Sequence, residues 1–229
     1  MDESAGSQTL KSRPQVAQPM VLVGKTAPDF TAKAVIGQDF VDYKLSSNWT
    51  SKKPKVTLLF FYPLDFTFVC PTEIIAFSDR IKEFESRNVQ VVGVSVDSEY
   101  SHLAWKNTPR NQGGLGTIQY PLVSDLKKEI ATAYDCLAPD GTAYRGLYLI
   151  DAKGIVRHAL VNDHPLGRSV DEAIRTVDAL AHFETHGEVC PADWKPGELA
   201  MTADPVKSQA YFGAKNSNGA KAKVTLKAK

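Results

Sequence analysis

Cysteine is scarce in this chain: three in 229 residues, Cys70, Cys136 and Cys190, with no two close together. That excludes the spacing of a secreted disulfide framework and any Cys-x-x-Cys redox motif. Net charge is almost absent as well. Twenty-seven Lys and Arg oppose 26 Asp and Glu, which gives no electrostatic reason to expect nucleic acid or a membrane surface as partner. No apolar run approaches the length of a membrane-spanning helix, and no internal repeat is visible. The N-terminus, Met1-Asp2-Glu3-Ser4, is acidic at once and has no apolar stretch behind it. Neither a secretory signal nor an organelle transit peptide is therefore expected, and the cytoplasm is the expected compartment. Hydrophobic residues, at 43%, are plentiful enough for one sizeable core.

The most informative stretch runs from Pro63 to Glu73, Pro-Leu-Asp-Phe-Thr-Phe-Val-Cys-Pro-Thr-Glu. Before it, Val56 to Tyr62 is β-branched and aromatic and too short for a helix, so it reads as a buried strand. After it, Ile74, Phe77, Ile81 and Phe84 recur at helical spacing. Pro71 suits the first helical position, where a missing N–H costs nothing. Cys70 thus falls at the start of a helix that leaves a buried strand, where free N–H groups favour a thiolate. Most free cysteines are small packed hydrophobes. A strand-to-helix junction at the end of a sheet, however, is where α/β proteins place chemistry, which favours a nucleophile. Thr67, three residues earlier, could turn its hydroxyl to the same spot.

Strands and helices alternate through the rest. Val89 to Val96 is a near-continuous apolar run of the parallel-sheet kind. Asp125 to Tyr134 reads as a short helix capped by Asp125, and Leu147 to Ile150 with Ile155 to Val161 as a hairpin. Ser169 to Thr185 is a helix opened by a Ser169–Glu172 capping box. Residues 1–20 and 213–229 are polar or basic and are expected to be disordered.

The motif Pro63-x-x-x-Thr67-x-x-Cys70 resembles the active-site signature of the typical two-cysteine peroxiredoxins. A second cysteine in a Val-Cys-Pro context, Val189-Cys190-Pro191, strengthens the likeness. So do His102-Leu-Ala-Trp105, Gly113-Gly-Leu-Gly116, Arg145-Gly-Leu147 and Val161-Asn-Asp163. The resemblance implies an α/β thioredoxin-like fold, a central mixed sheet flanked by helices with an extended C-terminal arm. It divides the chain into a peroxidase domain over 21–186, an arm carrying the second cysteine over 187–212, and the two tails.

It also implies roles. Cys70 attacks hydrogen peroxide or an organic hydroperoxide and becomes a sulfenic acid. Thr67 bonds the sulfur or the peroxide, Pro63 shields the sulfur, and Arg145 stabilises thiolate and peroxide. Glu73 and Arg168 orient Arg145. Cys190 of a partner subunit resolves the sulfenic acid as an intersubunit disulfide, and a thioredoxin-like protein reduces it. A homodimer, assembled as a ring of five dimers, is the implied oligomer, with no cofactor, metal, nucleic acid or membrane. Gly113 to Gly116 with Tyr211-Phe212 resemble the paired elements of over-oxidation-sensitive members. The aromatic pair would pack over the Cys70 helix and delay resolution.

Two alternatives stay open on the sequence. His182, His186 and Cys190 recur every four residues, as metal ligands on a helix would, although Gly187 interrupts that helix and no fourth ligand is in view. A holdase chaperone is the rival function, since ring-forming members can bind unfolded clients. Cys136 has no functional block around it and reads as a packed core residue.

Overall fold

The computed structural model describes residues 21–216. In chain order the elements are β1 (Thr31–Ile36), β2 (Asp39–Lys44), α1 (Ser47–Thr50), β3 (Val56–Phe61), α2 (Val69–Asp79), α3 (Ile81–Ser86), β4 (Val89–Ser95) and α4 (Glu99–Asn107). Then come β5 (Leu122–Ser124), α5 (Glu129–Ala133), β6 (Arg145–Ile150), β7 (Val156–Asn162), α6 (Val170–His186), β8 (Glu188–Val189) and β9 (Met201–Thr202). Seven strands form one mixed sheet in the order β2-β1-β5-β4-β3-β6-β7, and β8 and β9 pair separately. β3, which leads into the Pro63–Cys70 segment, runs parallel to β4 and antiparallel to β6.

Alternation along β3 explains why this strand is apolar throughout. Leu58 and Phe60 face one side, with Tyr62 just beyond the strand; there they pack against Ile74 and Phe77 of α2, Phe84 of α3 and Ile174 and Val177 of α6. Leu59 and Phe61 face the other side and meet Tyr43, Tyr134 and Tyr148. Both faces are covered, so a period-two strand carries no polar face. Each large apolar side chain buried this way contributes roughly 1.5–3 kcal/mol.

Several boundaries differ from the sequence reading, each for a local reason. α2 begins at Val69, so Pro71 is its third residue rather than its first; the first four helical N–H groups need no partner within the helix, and the proline is tolerated there. The expected single helix breaks at Arg80, whose side chain pairs with Glu83 and Asp171. The Asp125 helix starts only at Glu129, because Lys128 takes a left-handed φ of 62°. Asp125 still acts as a cap at a distance, accepting from the amides of Ile130 and Ala131. The capping box of α6 is half made: Ser169 accepts from the Glu172 amide, but the Glu172 carboxylate pairs with Arg175. Of the tail expected from residue 213, residues 213–216 continue a final helix that begins at 209. The expectations for 1–20 and 217–229 lie outside the described residues.

Candidate active site

The chain leaves β3 through buried Tyr62 and Pro63, crosses a loop and enters α2 with Cys70 as the second helical residue. Phe66, at φ 53°, makes the loop's one left-handed step. No side chain caps α2, so the N–H groups of its first turn, of which Pro71 has none, have no side-chain cap as partner. Cys70 is only 1% exposed. Thr67 is half-buried and donates its hydroxyl proton to the Leu64 carbonyl at 2.9 Å. Its proton is thus committed to that carbonyl, and its oxygen is left as an acceptor.

A tether that sequence reasoning missed fixes this loop. The Asp65 carboxylate accepts from the hydroxyls of Tyr62 at 2.9 Å and Ser101 at 2.8 Å, and lies 2.8 Å from Nδ1 of fully buried His102. The Asp65 amide donates to Asp97. Burial and the neighbouring Asp65 charge hold the Asp97 carboxyl above the usual carboxylate range. The only sequence signal was the block His102-Leu-Ala-Trp105. Beside it, Trp105 donates from its indole nitrogen to the Gly113 carbonyl at 2.8 Å. Gly114 admits no other residue, since a Cβ there would sit 1.9 Å from the Thr108 carbonyl oxygen.

Opposite the sulfur stands Arg145, the first residue of β6. Its Nη1 lies 3.4 Å from the Cys70 sulfur and 2.7 Å from Glu73, and its Nε donates to the His164 carbonyl at 2.7 Å. Arg168, just before α6, grips both oxygens of Glu73 at 2.8 and 3.0 Å. It also donates to the carbonyls of Phe61 and Gly146, so it stitches β3 to β6, and it lies over the Phe60 ring. Glu73, Arg145 and Arg168 side chains are all at most 4% exposed. Two guanidiniums and one carboxylate leave a buried excess of one positive charge. A Cys70 thiolate would cancel it.

Cys190 lies elsewhere, half-buried on α6 with its sulfur 3.6 Å from the Ala179 carbonyl. Burial raises its thiol above the ordinary 9.0, against the opposing pull of Arg175. The ligand pattern on α6 resolves into other partners: His182 bonds Glu188, and His186 donates to the His182 carbonyl. Among the described residues no group of three or more His, Cys, Asp or Glu could hold a metal ion. Cys136 is fully buried and its thiol is pushed up to about 12 by burial, which fits a packing role. Tyr211 and Phe212 meet edge to face, and Phe212 is 51% exposed. Among the described residues the ring contact of this pair is with each other, and Lys215 lies over the Tyr211 ring.

Comparison with known proteins places most of the chain among relatives. The model of the AhpC/TSA family matches residues 23–159, and that of the C-terminal domain of 1-Cys peroxiredoxin matches 179–214, a segment that here contains Cys190. Peroxiredoxin-1 of Gallus gallus is 57% identical over 193 residues, covering 83% of this chain and 94% of the relative. A chloroplastic 2-cysteine peroxiredoxin of Chattonella marina is 55% identical over 195 residues, 85% of this chain and 98% of the relative. The reduced 2-Cys peroxiredoxin of Plasmodium vivax superposes with a TM-score of 0.82 at 46% identity, over 85% of this chain and all of that one.

Proposed function

We propose how the site works from one premise: the chain belongs to the AhpC/TSA family, as a two-cysteine peroxiredoxin. It is a thiol-dependent peroxidase with a thioredoxin-like fold. Our reading of its residues rests on one observation, the Arg145 guanidinium held between the Cys70 sulfur and Glu73.

In this reading the Cys70 thiolate attacks the terminal oxygen of ROOH. The O–O bond breaks, the hydroxyl stays on sulfur as a sulfenic acid, and RO⁻ takes a proton to leave as ROH. Arg145 stabilises the thiolate before the attack and the developing negative oxygen during it. Glu73 and Arg168 keep that guanidinium from turning away. Thr67, with its proton committed to Leu64, accepts from the peroxide O–H, and buried Pro63 excludes water. The Cys190 thiolate next attacks the sulfenic sulfur, the disulfide forms and hydroxide departs, to be protonated as water. A thioredoxin-like dithiol protein restores both thiols.

Cys190 follows β8 with its sulfur against the Ala179 carbonyl of α6, while the Cys70 sulfur rests against Arg145; the two thiols have separate partners within the chain, which supports resolution by a partner's arm. The outer edge of β7 is unpaired in the seven-stranded sheet and offers a second copy an antiparallel seam. A ring of five such dimers, working in the cytoplasm, completes the proposal.

A non-reducing gel tests the pairing. Peroxide is expected to convert wild type to a disulfide dimer and to leave Cys190→Ser as a monomeric sulfenic acid, while Cys136→Ser still dimerises. Loss of the dimer in Cys136→Ser with its persistence in Cys190→Ser would reverse the assignment. A second expectation concerns pH. Because burial raises the Cys190 thiol above 9.0, it is mostly protonated at neutrality. Resolution should therefore accelerate as pH climbs from 7 past 9. Rapid-mixing kinetics of disulfide formation across that range would show a flat profile if another step limits.

A further inference from the structure

Resting on the reading of Cys190 as the resolving cysteine, we infer that His182 is a positioning residue that latches the arm and sets how often Cys190 is released. The arm is seated on α6 at a few points with open space between them. A groove of about 650 Å³ runs between α6 and Asp193, Lys195 and Pro196, and another of about 420 Å³ between α6 and the segment from Trp194 to Glu198. Loosely packed segments open locally at low cost, so the few point contacts decide the release rate.

His182 sits where those contacts converge. Its Nε2 donates to the Glu188 carboxylate at 2.9 Å, across the helix-ending Gly187, and so ties β8 back onto α6. Its ring lies 4.8 Å from that of Trp194, the arm's one deeply buried side chain at 3% exposure. On the other side it stacks on His186 at 4.4 Å. Cys190 lies between the two points His182 holds, Glu188 and Trp194. With both in place the thiol rests against the Ala179 carbonyl, where it cannot meet a sulfenic acid. Release needs the Glu188 bond broken and Trp194 lifted off the ring. His182 touches no reacting atom, so it acts on resolution alone.

Two substitutions separate the bond from the ring. His182→Phe keeps an aromatic face for Trp194 and loses the donor to Glu188; His182→Gln keeps a donor. The His182–Glu188 pair is partly exposed, so its loss is expected to raise the resolution rate by about threefold. Sulfenic acid formation at Cys70 should stay at the wild-type rate, and amide exchange over 188–194 in the reduced protein should quicken to match. His182→Gln should stay close to wild type in all three readouts. A His182→Phe protein that resolves at the wild-type rate, in an enzyme whose dimer depends on Cys190, would overturn the latch. If instead Cys190→Ser still formed the disulfide dimer, the resolving assignment itself would fall, and the latch with it.

Discussion

Arg145→Ala is expected to slow oxidation of Cys70 by on the order of a hundredfold, the usual loss when a fixed charged donor is withdrawn from a developing anion. One nitrogen of Arg145 serves both the sulfur at 3.4 Å and Glu73 at 2.7 Å, while its Nε is held by the His164 carbonyl. The guanidinium is therefore already pointed at the sulfur, and no reorganisation is needed when charge moves onto the leaving oxygen. Arg145→Lys keeps the charge but lacks the planar fork that serves three partners at once, so an intermediate rate is expected. Stopped-flow measurement of the second-order rate constant with peroxide checks both, with Cys70→Ser as the inactive reference. An Arg145→Ala enzyme within about threefold of wild type, where a factor of ten is 1.4 kcal/mol, would remove Arg145 from the chemistry.

Glu73→Ala is expected to cost stability before it costs rate. Removing the carboxylate leaves buried Arg168 without its ion-pair partner and Arg145 with the Cys70 sulfur alone, and breaking a buried pair by deleting one partner typically costs about 3–5 kcal/mol. Glu73→Gln, which keeps shape and one acceptor, should lose less. The exposed Glu172–Arg175 pair on α6 is the internal control: Glu172→Ala should change stability by under about 1 kcal/mol. Denaturant midpoints of the three variants measure the ranking. Equal losses for Glu73→Ala and Glu172→Ala would mean that the two guanidiniums find other partners or water when Glu73 is gone.

How legible all this was in the sequence depended on range. The apolar run of β3 and the Ser169 cap that opens α6 are local patterns, and both elements stand where those patterns put them. Boundaries were less legible where a distant side chain decides them. At Arg80 the backbone leaves the helical region between α2 and α3, and its side chain joins the local Glu83 to Asp171, a partner that no local window contains. The same holds at the site. The resemblance named Cys70, Glu73, Arg145 and Arg168, and the fold brings those four together from α2, β6 and the start of α6. Asp65 and His102 went unread as a pair because they are 37 residues apart, and nothing in either segment announces the other. The place of the Tyr211–Phe212 pair could not be read for a different reason. Among the described residues Phe212 is left 51% exposed, and no local pattern in the sequence announces that.

The balance of charge around Glu73 has a consequence for timing. While the sulfur is a thiolate, the buried cluster of two guanidiniums, one carboxylate and one sulfur is neutral. Oxidation turns the thiolate into an uncharged sulfenic acid and leaves the same cluster with a stranded positive charge in a dry place. The start of α2 then loses one of its attractions to Arg145, that of the sulfur, while the Glu73 pair remains, at the moment the sulfur has something to deliver. Chemistry at one atom thus acts as the trigger of a spring: spending the charge weakens the seat of the helix that carried it.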